Sequence, residues 1–436
     1  MDEYNGPSIV QYLGPHKDYK CGYCKGVNSN YSHGMWASVL TVEDYQALID
    51  RGFRRSGCYC YKPAMDKICC PQYTIRCLAS DFKLGKSHKK VLKRMHKFLA
   101  TGAISHPQRE STDHDKDTDA KPVREKPAVS PHTVEIPREL QNMKKAKIRR
   151  MERKALVKKE TVKLVKRSAN EAKTLEDFLH EPLPEKPAHT LTVKLVRSHP
   201  RSEEFKRTLA ASHALYLKYQ VTVHKDKPEK CGLEQYCRFL VDSPLEDCYP
   251  ESGPEMGYGS FHQQYWLDER LIAVGVIDIL PHCLSSVYFY YDPDYSFLSL
   301  GTYASLQEIA FVRQLALPTL QWYYLGFYIH SCTKMRYKGQ YKPSFLLCPE
   351  AFTWHPIEEC LPKLELSNYC RFNCDSANVA PVVSLGNVLV LYRRQAMKFS
   401  QFKALYERKG NEEEDSICEY SKLVGPAATR ILFYIH

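Results

Sequence analysis

Four cysteines carry the most specific chemical signal in the amino-terminal part of this chain. Cys21 and Cys24 form a Cys-x2-Cys turn flanked by Gly22 and Gly26, and Cys69 and Cys70 follow as an adjacent pair. A Cys-x2-Cys turn points two sulfurs at one ion, and thiolates are soft ligands for zinc or an iron–sulfur cluster. The adjacent pair is unusual for a zinc ribbon, so Cys58, Cys60 and Cys77 stay open as replacements for a member. The ten cysteines from Cys231 onward show no ligand spacing and read as core or surface thiols.

Two further sets lie in the second half. Between Tyr258 and Tyr295, extended segments are interrupted by His262, Gln263, Gln264, Asp278, Asp292 and Asp294. Asp278 sits inside the apolar run Leu271–Leu280. A buried carboxylate is costly unless paired or used, so Asp278 either ties up loop amides or lies at a site. On a strand, His262 and Gln264 share one face and Gln263 takes the other; His262 is either a core histidine or part of a cleft. The second set is the segment 334–342, where Lys334, Arg336, Lys338 and Lys342 alternate with Tyr337 and Tyr341 around Gly339. Such a loop holds a carboxylate by charge-assisted hydrogen bonds, holds a phosphate backbone by attraction, or is a solvated turn.

These groups need elements to position them. Residues 1–100 read as a cysteine-bearing module with helices over Thr41–Arg51, capped by Thr41, and over Ser87–Ala100, which is basic on one side. Residues 101–185 form a linker. Its first part, to about 137, is too poor in apolar residues to bury a core, and 140–173 reads as a highly charged helix. Residues 186–436 read as a mixed α/β domain. Strands are expected over Thr190–Val196, Phe261–Leu267, Leu271–Leu280, Val287–Tyr291, Trp322–Ile329 and Phe352–Ile357. Helices are expected over Ser202–Val223 and Ser299–Leu315, with Glu308 inside the latter, and Asn411–Asp415 reads as an acidic loop.

The chain has 436 residues and a net charge of +12. Between Arg138 and Ser168 thirteen Lys/Arg face three Glu, which accounts for most of that surplus. The segment is either a solvated linker, a polyanion-binding stretch or a nuclear import signal. No run of about 18 apolar residues exists, so no membrane span is expected. The acidic start, with Asp2 and Glu3, does not suit a signal peptide. A cytoplasmic and nuclear protein is expected, and no Walker A, dinucleotide fingerprint or nucleophile elbow is present.

The motifs Cys-Gly-Tyr-Cys-Lys, Arg-Arg-Ser-Gly, Cys-Cys-Pro-Gln-Tyr-Thr-Ile-Arg-Cys, Tyr-Gly-Ser-Phe-His-Gln-Gln-Tyr-Trp-Leu-Asp, Ala-Val-Gly-Val-Ile-Asp-Ile-Leu-Pro, Tyr-Tyr-Asp-Pro-Asp-Tyr and Tyr-Lys-Gly-Gln-Tyr closely resemble the eukaryotic arginyl-tRNA–protein transferases. The resemblance spans roughly 8–100 and 175–375. It implies an α+β fold in which an amino-terminal cysteine module accompanies a GNAT-like acyltransferase domain with a mixed sheet. It also implies a transferase that moves arginine from arginyl-tRNA to the amine of proteins starting with Asp, Glu or oxidised Cys, creating an N-degron; a monomer is expected. An iron–sulfur cluster or zinc would sit on Cys21, Cys24, Cys69 and Cys70, and neither ATP nor CoA is required, because an aminoacyl ester is already activated.

Under that resemblance the expected roles are these. Asp278 or Asp292 holds the acceptor ammonium and takes its proton, with Gln264, His262 or Tyr291 assisting. Lys334, Arg336, Lys338, Tyr341 and Lys342 bind the acceptor's acidic side chain. Lys86, Lys89, Lys90, Lys93 and Arg94, with Lys145, Arg149, Arg150 and Arg153 in the linker, hold tRNA phosphates. Two rival classes remain: a non-catalytic RNA-binding protein with a metal-bound module, and an acetyl-CoA-dependent N-acyltransferase. The second would want a Gly-rich pyrophosphate loop where Ser296–Gly301 has a single glycine.

Overall fold

Period-two apolar runs bounded by glycine and turn residues build two sheets. The structure is a computed structural model that describes residues 6–104 and 173–436. In chain order the strands are β1 (Ile9–Tyr19), β2 (Asn30–Val39), β3 (Arg54–Ser56), β4 (Tyr59–Pro63), β5 (Tyr73–Leu78), β6 (Leu191–His199), β7 (Gly259–Leu267) and β8 (Arg270–Ile279). They continue with β9 (Cys283–Tyr291), β10 (Trp322–Tyr328), β11 (Ser344–Leu347), β12 (Trp354–Pro356), β13 (Leu389–Tyr392), β14 (Gln395–Lys398) and β15 (Leu432–Ile435). The helices are α1 (Val42–Ile49), α2 (Lys86–Thr101), α3 (Leu175–Leu179), α4 (Glu203–Tyr219), α5 (Leu233–Tyr236), α6 (Leu300–Leu315), α7 (Thr333–Arg336), α8 (Ile357–Leu366), α9 (Phe399–Leu405) and α10 (Glu407–Val424). Among the described residues no helix is long and apolar enough to cross a membrane.

The larger sheet has eight strands in the order β12-β11-β5-β10-β9-β8-β7-β6, and the smaller has seven in the order β14-β13-β15-β1-β2-β4-β3. Strands from the two ends of the chain lie side by side in both. β5, from the amino-terminal stretch, lies between β11 and β10, while β13, β14 and β15 extend the sheet begun by β1. In the larger sheet β6 to β9 run antiparallel, and β9 and β10 form a parallel pair. β8 is buried from Leu271 to Ile279, and apolar there except for Asp278, because both faces are covered. Leu271, Val274 and Val276 pack with Phe205, Leu215 and Tyr216 of α4, while Ile272, Ile277 and Ile279 join the core that also holds Leu306, Ile309 and Val312 of α6.

Local chemistry explains the helix starts. The Thr41 side chain accepts from the Asp44 amide and caps α1, and Ser202 accepts from the Phe205 amide and caps α4. Residues 411–415, expected as an acidic loop, instead lie within α10. Glu413 pairs with Lys409 at 3.0 Å and Glu414 with Lys403 at 2.7 Å, while Ile417, Tyr420 and Val424 bury the opposite face. The acidic cluster is the solvated side of an amphipathic helix. The basic segment 334–342 is likewise not an open loop. Its first half forms the turn α7, followed by a 3-10 turn over Tyr337–Gln340.

A buried ion pair joins the two sheets. Arg55 of β3 donates from Nε to Asp278 Oδ2 at 2.7 Å and from Nη2 to Oδ1 at 2.6 Å, with both side chains essentially inaccessible. Ser260 donates to the same carboxylate at 2.8 Å. The β3–β4 turn is wedged beside this pair, since a Cβ on Gly57 (φ +60°) would meet the Arg238 carbonyl at 2.0 Å. Arg55→Met should therefore cost about 3–5 kcal/mol in denaturant unfolding, because the Asp278 charge is left buried alone. The double variant Arg55→Met with Asp278→Leu should be less destabilised than Arg55→Met alone; an equal or greater loss would show that the pair's charge complementarity is not what matters.

Candidate active site and thiol centre

The parallel strands β9 and β10 stay together only briefly. Their paired residues are Trp322 with Cys283, Tyr323 with Leu284 and Tyr324 with Ser285. Beyond Ser285, β9 remains paired to β8, while β10 carries a bulge opposite β5 at Leu325–Gly326, where Gly326 takes φ +72°. The strands part, and a cavity of about 810 Å³ opens between them. Its walls come from β9 (Ser285 to Phe289, and Tyr291), β10, the β3–β4 hairpin, α6 and the segment after α7. Beyond this point β9 and β10 no longer pair with each other, and the Gly326 and Phe327 carbonyls of β10 accept from side chains instead.

Two cations sit on the β10 side. Arg54, 7% exposed, donates from Nη2 to the Gly326 carbonyl at 3.3 Å, and its guanidinium lies 5.2 Å from the Phe327 ring centre. Lys338 donates from Nζ to the Phe327 carbonyl at 2.9 Å. Burial, with Arg54 close by, pushes the Lys338 ammonium down to about 7. On another wall, Glu308 of α6 is 1% exposed, and burial raises its carboxyl to about 7 even though the Tyr323 and Ser286 hydroxyls draw it back. Nine tyrosines, 23, 45, 59, 61, 219, 288, 291, 323 and 337, also line it.

Of the acid–base candidates only Tyr291 reaches this cavity. Asp278 is engaged by Arg55 and Ser260 and does not line the cavity. Asp292 caps the 3-10 turn after β9 by accepting from the Asp294 amide, and it is gripped by Lys218 and Arg270, both at 2.6 Å. Burial alone would raise its carboxyl, but these partners hold it below its usual range. His262 and Gln264 do share a face, as strand parity requires, but that face packs on α4. His262 Nε2 lies 3.0 Å from the Leu240 carbonyl, and burial lowers the ring to about 4, so it is neutral. Gln264 bonds Thr208 and Trp266.

The basic segment also divides. Lys338 lines the cavity. Arg336 pairs with Glu365 at 3.3 Å, Lys342 pairs with Glu358 at 2.8 Å, and Lys334 is exposed outside the cavity. Tyr341 is fully buried and stacks on His88, 4.8 Å between centroids. On α2, Lys86, Lys90 and Lys93 are exposed and Lys89 is half-buried. Arg94 is instead tied to the Phe297 carbonyl and Ser299 Oγ at 2.9 and 3.0 Å. Lys145, Arg149, Arg150 and Arg153 lie outside the described residues. Sequence reasoning missed Arg54 and Glu308 as site residues. The available signal for Glu308 was a lone acid among the apolar positions of α6; for Arg54 it was the Arg-Arg pair.

The four expected cysteines do come together. The sulfurs of Cys21, Cys24, Cys69 and Cys70 lie within 4.8 Å of one another, with Cys24 and Cys69 at 3.3 Å. Cys58, Cys60 and Cys77 are not members of the group. Backbone bonds from Cys21 N to Gly26 O and from Lys25 N to Cys21 O fold the knuckle, with Lys25 at φ +65°. The Gly26 amide, then neighbouring thiols, pull the Cys24 thiol down to about 7, while burial pushes Cys70 up to about 12. Four sulfurs around one tetrahedral ion at about 2.3 Å sit close enough together to match this set, so the donors fit a metal. Cys21 and Cys70 pack on Ile329 beside Met335, which with Tyr23 lines the cavity.

Two family models match the chain: arginine-tRNA-protein transferase, N terminus, over residues 19–90, and arginine-tRNA-protein transferase, C terminus, over residues 211–348. The first match contains the four cysteines and Arg54; the second contains Glu308 and Lys338. The chain is 42% identical to arginyl-tRNA–protein transferase 1 of Drosophila melanogaster over 98% of its own length and 99% of the relative. It is 34% identical to arginyl-tRNA–protein transferase 1 of Arabidopsis thaliana, covering 94% of this chain and 80% of that one. A shorter match, 42% identical over 26% of this chain and 42% of the relative, is to an aspartate/glutamate leucyltransferase of Pseudomonas savastanoi.

The thiol centre yields a prediction independent of activity. Anaerobic removal of metal with a thiol-competitive chelator should lower the unfolding temperature by several degrees, and refilling should restore it. Cys69→Ser should not recover on refilling. An unfolding temperature indifferent to chelator would show that the four thiols do not hold a stabilising ion.

Proposed function

The chain belongs to the arginyl-tRNA–protein transferase family, and from that premise we propose that it moves arginine from arginyl-tRNA to the α-amine of proteins beginning with Asp, Glu or oxidised Cys, marking them as N-degrons. The observation that carries the acceptor class is the pair of cations, Arg54 and Lys338, seated together on the carbonyls of β10 inside the cavity. An acidic or sulfur-acid side chain needs such charge-assisted donors in a desolvated site. A relative named for aspartate and glutamate, matched over part of the chain, supports the same acceptor chemistry.

The acceptor amine adds to the carbonyl carbon of the aminoacyl ester, forming the C–N bond. The C–O bond to the tRNA ribose then breaks, and the proton leaving nitrogen ends on the ribose oxygen. Ester to amide is downhill, so no nucleoside triphosphate enters. An α-amine with an ordinary pKa of about 7.7–8.0 needs little help to free its lone pair, and neighbouring cations lower that value further. No dedicated carboxylate base is required, in keeping with the displacement of Asp278 and Asp292 from the cavity. Positioning of amine and ester between the parted strands, with hydrogen-bond donors to the tetrahedral oxyanion, supplies the rest. Burial keeps Tyr291 protonated as a further donor. The exposed lysines of α2 hold tRNA phosphate in a salt-sensitive manner. The thiol centre holds zinc or an iron–sulfur cluster as a structural buttress of the cavity wall, and metal content with visible absorption after anaerobic purification separates the two.

Incubation with radiolabelled arginyl-tRNA and an Asp-initiated peptide, without ATP or CoA, should label the peptide; no transfer would end this proposal. Lys338→Met should raise KM for acidic peptides about tenfold or more and leave the affinity for tRNA unchanged. A loss of tRNA affinity alone would assign the segment to RNA. The pH dependence has a defined sign. Lys338 is cationic below about 7, so kcat/KM for acidic peptides should fall as pH rises through that value, against the gain from amine deprotonation. Lys338→Arg should remove the falling limb, because guanidinium stays charged.

A further inference from the structure

Glu308 is a cavity carboxylate that the reading of the acceptor site above does not use. It projects from the middle of α6 toward β8, where Gly275 makes room for it; a Cβ there would come within 2.9 Å of Oε1. It lines the cavity, is 1% exposed and makes no ion pair among the described residues; the Tyr323 and Ser286 hydroxyls are close enough to act on the carboxyl, yet its Oε2 is buried without a hydrogen-bond partner. A buried acceptor left this way calls for a donor that arrives with a ligand.

We propose that Glu308 seats the guanidinium of the arginyl group and so selects arginine as the residue transferred. The inference rests on the transfer activity proposed above. The chemistry favours the guanidinium over the acceptor's own amine. That amine lies next to the acceptor's acidic side chain and is held with it at Arg54 and Lys338. Arg54 and Lys338 are bound to the carbonyls of β10, whereas Glu308 projects from α6 toward Gly275 of β8, so the carboxylate and the cations are held by different elements. The arginyl side chain, by contrast, carries its charge at the end of a long arm away from the ester. A planar guanidinium matches a carboxylate bidentately and stacks on aromatic faces. Phe289 and Tyr291 supply such faces in the same cavity, stacked with centroids 6.0 Å apart. Burial that holds the empty carboxyl at about 7 favours its neutral form until a cation enters.

The test compares two donors built on the same tRNA, one carrying arginine and one carrying citrulline, which has the same length and a neutral urea. The full-length protein and an Asp-initiated peptide are used, and kcat/KM is measured for each donor. Wild type should prefer arginine strongly. Glu308→Gln should lose about thirtyfold or more with arginine and little with citrulline, so the preference collapses, while KM for the peptide stays the same. Glu308→Asp, which keeps the charge but draws it back, should retain an arginine preference at reduced rate and covers the case in which the glutamine variant fails to fold. Equal losses with both donors, or a raised peptide KM, would overturn the assignment and place Glu308 on the acceptor or the reaction. Absence of transfer by wild type from either donor would instead overturn the family activity itself.

Discussion

The bidentate pair between Arg55 and Asp278 is the constraint on which the site depends. It crosses 223 residues of sequence and locks the β3–β4 hairpin of one sheet against β8 of the other. An ion pair this deep exists only because each charge has several partners, since burial alone disfavours both. Burial opposes the Arg55 charge, yet the Asp278 carboxylate beside it holds the guanidinium more firmly protonated than usual. With the hairpin held there, Arg54 next to it in sequence is committed to the β10 side, where it meets the Gly326 carbonyl.

Everything polar in the cavity follows from how β9 and β10 part. A parallel pair that continued would have satisfied its own backbone and left no room. Gly326 in the left-handed region and the adjacent bulge break that continuity, and the carbonyls of Gly326 and Phe327 become seats for Arg54 and Lys338. Glu308 stands on the helix between the same two strands. Cations and carboxylate therefore line one cavity, carried by different elements. Low dielectric strengthens each of these contacts.

Much of the fold was legible in local chemistry. Thr41 and Ser202 act as caps where expected, the strands around 261–291 appear within a few residues of their apolar runs, and the four cysteines meet. The residues that the structure places away from where local pattern put them share a cause. Asp278 was correctly singled out as anomalous, but what makes it structural is a partner 223 residues away that no local pattern announces. Asp292 looked like a free acid in a turn, and Lys218 and Arg270 claim it from two other elements. Residues 411–415 looked like a loop because their charge hid the buried stripe of α10, which shows only when Ile417, Tyr420 and Val424 are taken together.

By itself the sequence determined which cysteines come together and the family, because these rest on residue types at short spacings and on long motifs. It also determined most helices and strands, because caps and periodicity act over a few residues. Only the tertiary structure decided which charges work and which are structural. Strand parity places His262 and Gln264 on one face but cannot say that α4 covers it. Composition places four cations in 334–342 but cannot say that Glu358 and Glu365 occupy two of them and leave Lys338 to the cavity. A charged group's role depends on its partners and its burial, and both are set by chain segments that meet only in the folded state.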